Sequence, residues 1–380
     1  MSEYQYYEFQ SLDRPLTEKE RAEIGSWSSR TTPTSTQAIF TYSYGDFPRD
    51  EKKAVEKYFD AMLYLSSWGG KRLMFRLPRA LVEAKALQPY CSFGDVTLST
   101  TKNHLLLDIF FDDEEGRGGW LEGEGWLSSL IALRNDLING DLRMLYLAWL
   151  HSLNREYEIE EQAQELEPPV PLGLKSLNAA LKSFIDFFEI DGDLIAVASR
   201  ASAEKPSKAE LDWERAVAKL SKKEQSDFLV RLAKGEHNLN QSILKRLREL
   251  SSNKPASFTL QKGSRTVGEL LREAREFAEQ KEEKRQHKER QEKIARVNAL
   301  VAQEPELWNK VLQRINLRKP KAYDEAVSIL KQLREAAEHL EQVDRFNAKI
   351  AQLQRDHSTL FGLKSRLKRA GLGSNSAGRR

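Results

Sequence analysis

Met62-Leu63-Tyr64-Leu65-Ser66-Ser67-Trp68-Gly69-Gly70-Lys71-Arg72-Leu73-Met74-Phe75-Arg76-Leu77 is the stretch that decides the fold class. Two β-prone runs, residues 62–66 and 72–77, flank a Gly-Gly pair, which predicts a hairpin turn between antiparallel strands. Pro78 then opens a short helix, where its missing N–H costs nothing. Downstream, residues 96–100 and 105–111 form a second hairpin around Lys102-Asn103. Upstream, Tyr4-Gln5-Tyr6-Tyr7-Glu8-Phe9 reads as a first strand, broken by Asp13-Arg14-Pro15. Thr17 with Glu20 three residues later is a capping-box pattern, and a helix follows to about Trp27. Residues 36–44 read as a strand, and Asp50 caps a helix carrying Ala54, Val55, Tyr58 and Phe59 on one face. Hairpin connections with irregularly interleaved helices predict an α+β domain, with a mostly antiparallel sheet, over residues 1–155.

Two apolar helices close that domain, at 125–137 and 141–153. An acidic segment ending in Pro168-Pro169-Val170-Pro171 reads as a linker over 156–172. Beyond it β signals nearly vanish, and an all-α region is expected. A helical domain covers 173–252, opening with Leu174, Leu177, Leu181, Phe184, Ile185 and Phe188 at helical spacing. A polar connector holding Pro255 covers 253–263. Ser264 caps one long charged helix over 264–303, whose run from Arg265 to about Ala302 has no breaker and is roughly 57 Å at 1.5 Å per residue. Its middle, residues 279–293, has no aliphatic side chain, which predicts a solvated helix. A small helical bundle over 304–371 follows, then a disordered tail over 372–380.

Charged residues make up 31% of the 380, enough to suggest long exposed helices. Residues 1–200 hold 21 Lys+Arg against 32 Asp+Glu, a net of −11, and residues 201–380 hold 39 against 25, a net of +14. The near-neutral total therefore hides a basic half suited to an acidic partner, to nucleic acid, or to the chain's own acidic half. The single cysteine, Cys91, allows no disulfide within the chain and suits a reducing compartment. No apolar run of membrane-spanning length occurs, and the first residues lack the basic and apolar regions of a secretory signal. A cytoplasmic protein without a membrane partner is expected.

Asp108, Asp112, Asp113 and Glu122, with Glu114, Glu115 and Glu124, form the sharpest acidic cluster. Carboxylates suit Mg²⁺ or Ca²⁺, so a metal-dependent enzyme using residues 108–124 is the alternative reading. Against it, Asp112 to Glu115 are consecutive and would alternate faces in a strand, as at a solvated hairpin end. Around Gly192, Asp191 or Asp193 is better placed to cap the next helix than to bind metal. The six histidines are scattered without metal-ligand spacing, and no nucleophile elbow, P-loop or dinucleotide fingerprint occurs. Neither catalytic residues nor a cofactor are expected. The basic end is the most specific hint: Lys364, Arg366, Lys368, Arg369, Arg379 and Arg380, with no acid from residue 361 onward. Those cations point to sequence-independent contact with nucleic acid or another polyanion.

Tyr4-Gln5-Tyr6-Tyr7-Glu8-Phe9 with Asp13-Arg14-Pro15-Leu16-Thr17, Tyr58-Phe59-Asp60-Ala61, Trp68-Gly69 and Arg76-Leu77-Pro78 resembles an uncharacterised bacterial protein family over about the first 170 residues. Trp308, Val311 and Ile315, followed by Tyr323-Asp324-Glu325-Ala326-Val327, Leu330 and Leu333, is similar to helical tails of bacterial proteins associated with SWIM-type zinc fingers. One Cys cannot build such a zinc site, so that resemblance implies a SWIM-type zinc-finger protein as partner. The expected function is a non-catalytic scaffold or adaptor that binds protein partners and weakly contacts nucleic acid.

Overall fold

The computed structural model describes residues 4–91, 94–112, 122–153, 163–204, 213–235, 239–250, 263 and 265–372. Six strands form one antiparallel sheet in the order β2-β1-β3-β4-β6-β5: β1 Gln5–Gln10, β2 Gln37–Tyr42, β3 Ala61–Ser66, β4 Lys71–Pro78, β5 Val96–Thr100 and β6 His104–Phe111. Both expected hairpins are present. At the first, Gly69 adopts φ +102°, and the Gly70 N–H donates to the Ser66 hydroxyl at 2.9 Å. Pro78 ends β4 instead of opening a helix, and the short α3 (Ala84–Leu87) begins six residues later.

Both sheet faces are covered, so β3, β4 and β6 are buried almost continuously, whereas the outer strands β2 and β5 alternate or face solvent. One face carries α1 (Glu18–Gly25) and α2 (Glu51–Tyr58), and packs Phe9, Phe40, Phe47, Val55, Phe59 and Met62. The Thr17–Glu20 capping box and the Asp50 cap start these helices as expected. The other face packs Leu63, Leu65, Phe75, Leu107 and Ile109 against α4 (Trp126–Leu130), α5 (Ala132–Ile138), α6 (Arg143–Ser152), α7 (Ala179–Phe188) and α8 (Gly192–Ala198).

The chain divides differently from the expected domains. Its two compact units are Met1–Ala278 and Glu279–Arg380. The proline segment expected as a linker is packed: Pro168, Pro169 and Pro171 are buried, and the Tyr90 hydroxyl donates to the Pro169 carbonyl at 2.7 Å. Residues 156–162 of that expected linker lie outside the described residues. The expected 173–252 helical domain is split. Phe184, Phe187, Phe188 and Leu194 join the sheet's core, and a separate small cluster of Ala216, Leu220 and Leu247, with partly buried Phe228 packed on it, links α9 (Trp213–Ala218), α10 (Lys222–Ala233) and α11 (Leu239–Leu250). Periodicity finds an apolar helix face but not the surface that covers it.

The long helix is α12, Val267–Ala302. Thr266 and Glu269 form its capping box, where Ser264 was expected; Ser264 lies outside the described residues. Val267, Leu270 and Ala274 belong to the sheet's core. A strap fixes this helix start: the Glu167 N–H donates to the Arg265 carbonyl at 2.9 Å, and the Val267 N–H to the Glu165 carbonyl at 2.9 Å. A Cβ at Gly263 would sit 2.2 Å from the Glu167 carbonyl oxygen, so glycine is required there. Of the expected connector 253–263, Gly263 alone is described. Buried Glu167 accepts from Arg265 at 2.9 and 3.1 Å and from the Tyr146 hydroxyl. Burial, then the Glu167 carboxylate, pushes the Tyr146 phenol up.

The second unit is a helical bundle: α13 (Glu304–Asn316), α14 (Pro320–His339), α15 (Val343–Asp356) and α16 (Phe361–Arg369) surround Val311, Ile315, Ala326, Leu330, Ile350, Leu363 and Leu367. Of the expected tail, Leu372 is buried in this core, and residues 373–380 lie outside the described residues.

Candidate polyanion interface

In the first unit, the titratable side chains that burial makes conspicuous are held by one another. Arg72 clamps Asp108 with two bonds of 2.7 Å, and Lys52 reaches the same carboxylate at 2.9 Å. Burial alone would raise the Asp108 carboxyl; Arg72 and Lys52 more than offset it and hold it below the usual aspartate value. The Asp108 carboxylate, expected as a metal residue, is thus shared between two cations. Asp112 and Glu122 are exposed, and Asp113 lies outside the described residues. Among the described residues no group of three or more His, Cys, Asp or Glu side chains is placed to hold a metal ion.

Asp60 is fully buried and accepts from the Leu12 and Asp13 amides at 2.7 and 2.9 Å and from Arg76 at 2.7 and 3.1 Å. Arg134 clamps Asp13 with bonds of 2.9 and 2.8 Å, donates to the Arg76 carbonyl, and lies 3.5 Å from Asp60. This closed Asp–Arg network ties α5 to the sheet. Asp191 caps α8 through the Asp193 amide, and Glu189 pairs with Lys71 at 2.9 Å. Burial pushes the Cys91 thiol up to about 11, which suits packing rather than nucleophilic chemistry.

The bundle differs. Residues 279–380 hold 23 Lys+Arg against 14 Asp+Glu, a net of +9, and residues 1–278 hold 37 against 43, a net of −6. Many bundle cations are paired, including Arg314 with Glu325 at 3.0 Å and Lys349 with Glu304 at 2.6 Å. Lys331, Lys364, Lys368 and Arg369 are exposed and make no ion pair or hydrogen bond with a described residue.

Leu363 and Leu367 anchor α16 against α14 and dictate where its cations point. At about 100° per residue, Lys364 and Lys368 leave one flank of the helix, and Arg366 and Arg369 the other. The second flank borders an open cleft whose lining includes Asp324, Ser328, Lys331, Arg366 and Arg369. Arg366 is held there, donating to Asp324 at 2.5 Å and to the Gly362 carbonyl at 3.1 Å. The basic end is therefore not one face, and Arg366 is not a free cation. Arg379 and Arg380 lie outside the described residues.

Lys331 is absent from the sequence reading. The signal that finds it is the spacing Asp324, Ser328 and Lys331, one stripe of α14, but only the packing of α16 shows that this stripe borders the cleft. Cations in the last turn of α16 also complement the helix dipole, which suffices to explain Arg366, Lys368 and Arg369. It does not explain Lys331 in the middle of α14. Arginine forks, lysines and a serine hydroxyl around an open cleft are suited to phosphate oxygens.

No protein-family model matches the chain, and no curated protein and no solved structure matches it. The two resemblances read from the sequence therefore gain no further support.

Proposed function

We propose that the protein is a non-catalytic scaffold or adaptor whose C-terminal bundle makes weak, sequence-independent contact with a polyanion. The observation that carries the reading is that Lys331, Lys364, Lys368 and Arg369 on α14 and α16 are exposed and unpaired among the described residues, within a unit of net charge +9. Phosphate contact needs clustered Lys and Arg free of competing carboxylates. The acidic unit supplies the opposite half of the adaptor, and its partner is a protein. The resemblance of residues 308–333 to SWIM-associated tails makes a zinc-finger protein our suggested partner for the bundle. A reducing, cytoplasmic setting in a bacterium fits the single cysteine and the family resemblance.

Removing α16 to test this would also remove Leu363, Leu367 and Leu372 from the bundle core. Substituting only the exposed cations avoids that. Labelled DNA and RNA titrated with the full chain should bind in the micromolar range at low salt. The variant K331Q/K364Q/K368Q/R369Q should bind at least about tenfold more weakly, with an unchanged thermal transition. Equal binding by the variant, or no binding by the full chain at low salt, overturns the proposal.

Asp324 provides a test of opposite sign. Its carboxylate is the anion nearest the cleft and occupies Arg366. D324N removes a repulsive charge and releases a guanidinium, so affinity for the same probes should rise by about two- to fivefold at low salt. An unchanged or lower affinity would place the phosphates away from the cleft.

A further inference from the structure

Phe361 is the most exposed of the large apolar side chains described, at 81%, and it touches no other ring or cation among the described residues. A single exposed apolar residue needs no explanation by itself. Its neighbours on the helix surface are what distinguish it. At about 100° per residue, Phe361, Lys364 and Lys368 fall within about 60° of arc on one flank of α16, beside the face that Leu363 and Leu367 bury. Both lysines are exposed and unpaired among the described residues. The flank thus presents one free aromatic face followed by two cations, at about one turn and two turns along the helix.

We propose that this flank of α16 binds single-stranded nucleic acid, with Phe361 stacking on an unpaired base and Lys364 and Lys368 contacting the adjoining phosphates. The inference rests on the polyanion reading above and narrows it to one ligand class. Stacking on an aromatic side chain requires a base whose face is not already covered, which a single strand offers and a duplex does not. A membrane-surface helix would need a broad apolar face, whereas beyond Phe361 this flank continues with Lys364, Ser365 and Lys368. No base-specific readout is expected, since stacking accepts any base.

The test uses the full chain with three labelled probes: a mixed-sequence single-stranded DNA, the same sequence as a duplex, and inorganic polyphosphate. Phe361 is not part of the core, so F361A should retain the wild-type thermal transition. It should weaken single-strand binding about fivefold or more and leave polyphosphate binding within about twofold, and F361W should restore the single-strand affinity. K364Q/K368Q should weaken both probes. The proposal is overturned if F361A binds the single strand as wild type does, if it weakens single strand and polyphosphate equally, or if the wild-type chain binds duplex as tightly as single strand. Lysine sensitivity persisting in any of those cases leaves the polyanion reading standing; failure of all three probes to bind wild type at low salt overturns both.

Discussion

A chain ended after Leu166 is expected not to fold cooperatively, although every strand of the sheet precedes that point. The missing part supplies Leu174, Leu181, Phe184, Phe187, Phe188, Leu194, Val197, Val267 and Leu270 to the core that covers Leu63, Leu65, Phe75, Leu107 and Ile109. Each such side chain contributes on the order of 1.5–3 kcal/mol by burial, and the sum is at least comparable to the roughly 5–15 kcal/mol by which a whole domain is stable. The truncation also removes Arg265 and leaves the Tyr146 hydroxyl without Glu167. Calorimetry or near-ultraviolet circular dichroism should show no sharp transition, and a dye for exposed apolar surface should bind strongly. A cooperative melt from residues 1–166 would mean that the sheet carries its own core and that α7 and α8 are accessory.

The second large effect concerns Arg134. R134M keeps the volume and apolar stem but removes the group that clamps Asp13 and approaches Asp60. The fully buried Asp60 then keeps only the guanidinium of Arg76, and the partly buried Asp13 loses its clamp. Breaking a buried pair in this way costs about 3–5 kcal/mol, a large share of total stability. Urea denaturation should show a lower midpoint with an unchanged slope. The pH dependence has a definite sign. Burial would raise the Asp60 carboxyl, and Arg76 and Arg134 more than offset that, holding it below the usual value. A depressed folded-state value contributes stability above the unfolded aspartate value, lost as pH falls through the folded one. Without Arg134 the Asp60 carboxyl moves up, so acid destabilisation should begin at a higher pH in R134M. Wild-type-like urea and acid titrations for R134M would show that the network is not a stabilising element.

The legible parts of this fold carry local signals. Gly69-Gly70 and Lys102-Asn103 mark hairpins because turn geometry restricts residue type. Thr17, Asp50 and Asp191 mark helix starts because a cap needs a short acceptor side chain. The unbroken polarity of residues 279–293 marks the exposed middle of α12. What stayed hidden depends on distant partners. A Pro-Pro-Val-Pro run has the same composition in a free linker as in a strap under Tyr90, and only the 2.7 Å bond to Pro169 distinguishes them. The acidic run around Asp108 suggests a metal site in sequence because Arg72, 36 residues upstream and on the neighbouring strand two residues from the Met74 that pairs with Asp108, is invisible to local reading. The basic end was legible as charge. Its partition into two flanks, the pairing of Arg366 with Asp324 and the entry of Lys331 follow only from how Leu363 and Leu367 seat α16 on the bundle.

The salt dependence of nucleic-acid binding is the most direct measure of the central claim, because it counts phosphate contacts without requiring their location in advance. Wild-type affinity for single-stranded DNA, measured across a salt series, should give a log–log slope of about −3 if Lys331, Lys364, Lys368 and Arg369 each meet a phosphate. In K331Q/K364Q/K368Q/R369Q the slope should fall towards zero as affinity is lost. A wild-type slope near zero, or a steep slope that the four substitutions leave unchanged, would contradict a polyanion interface on α14 and α16.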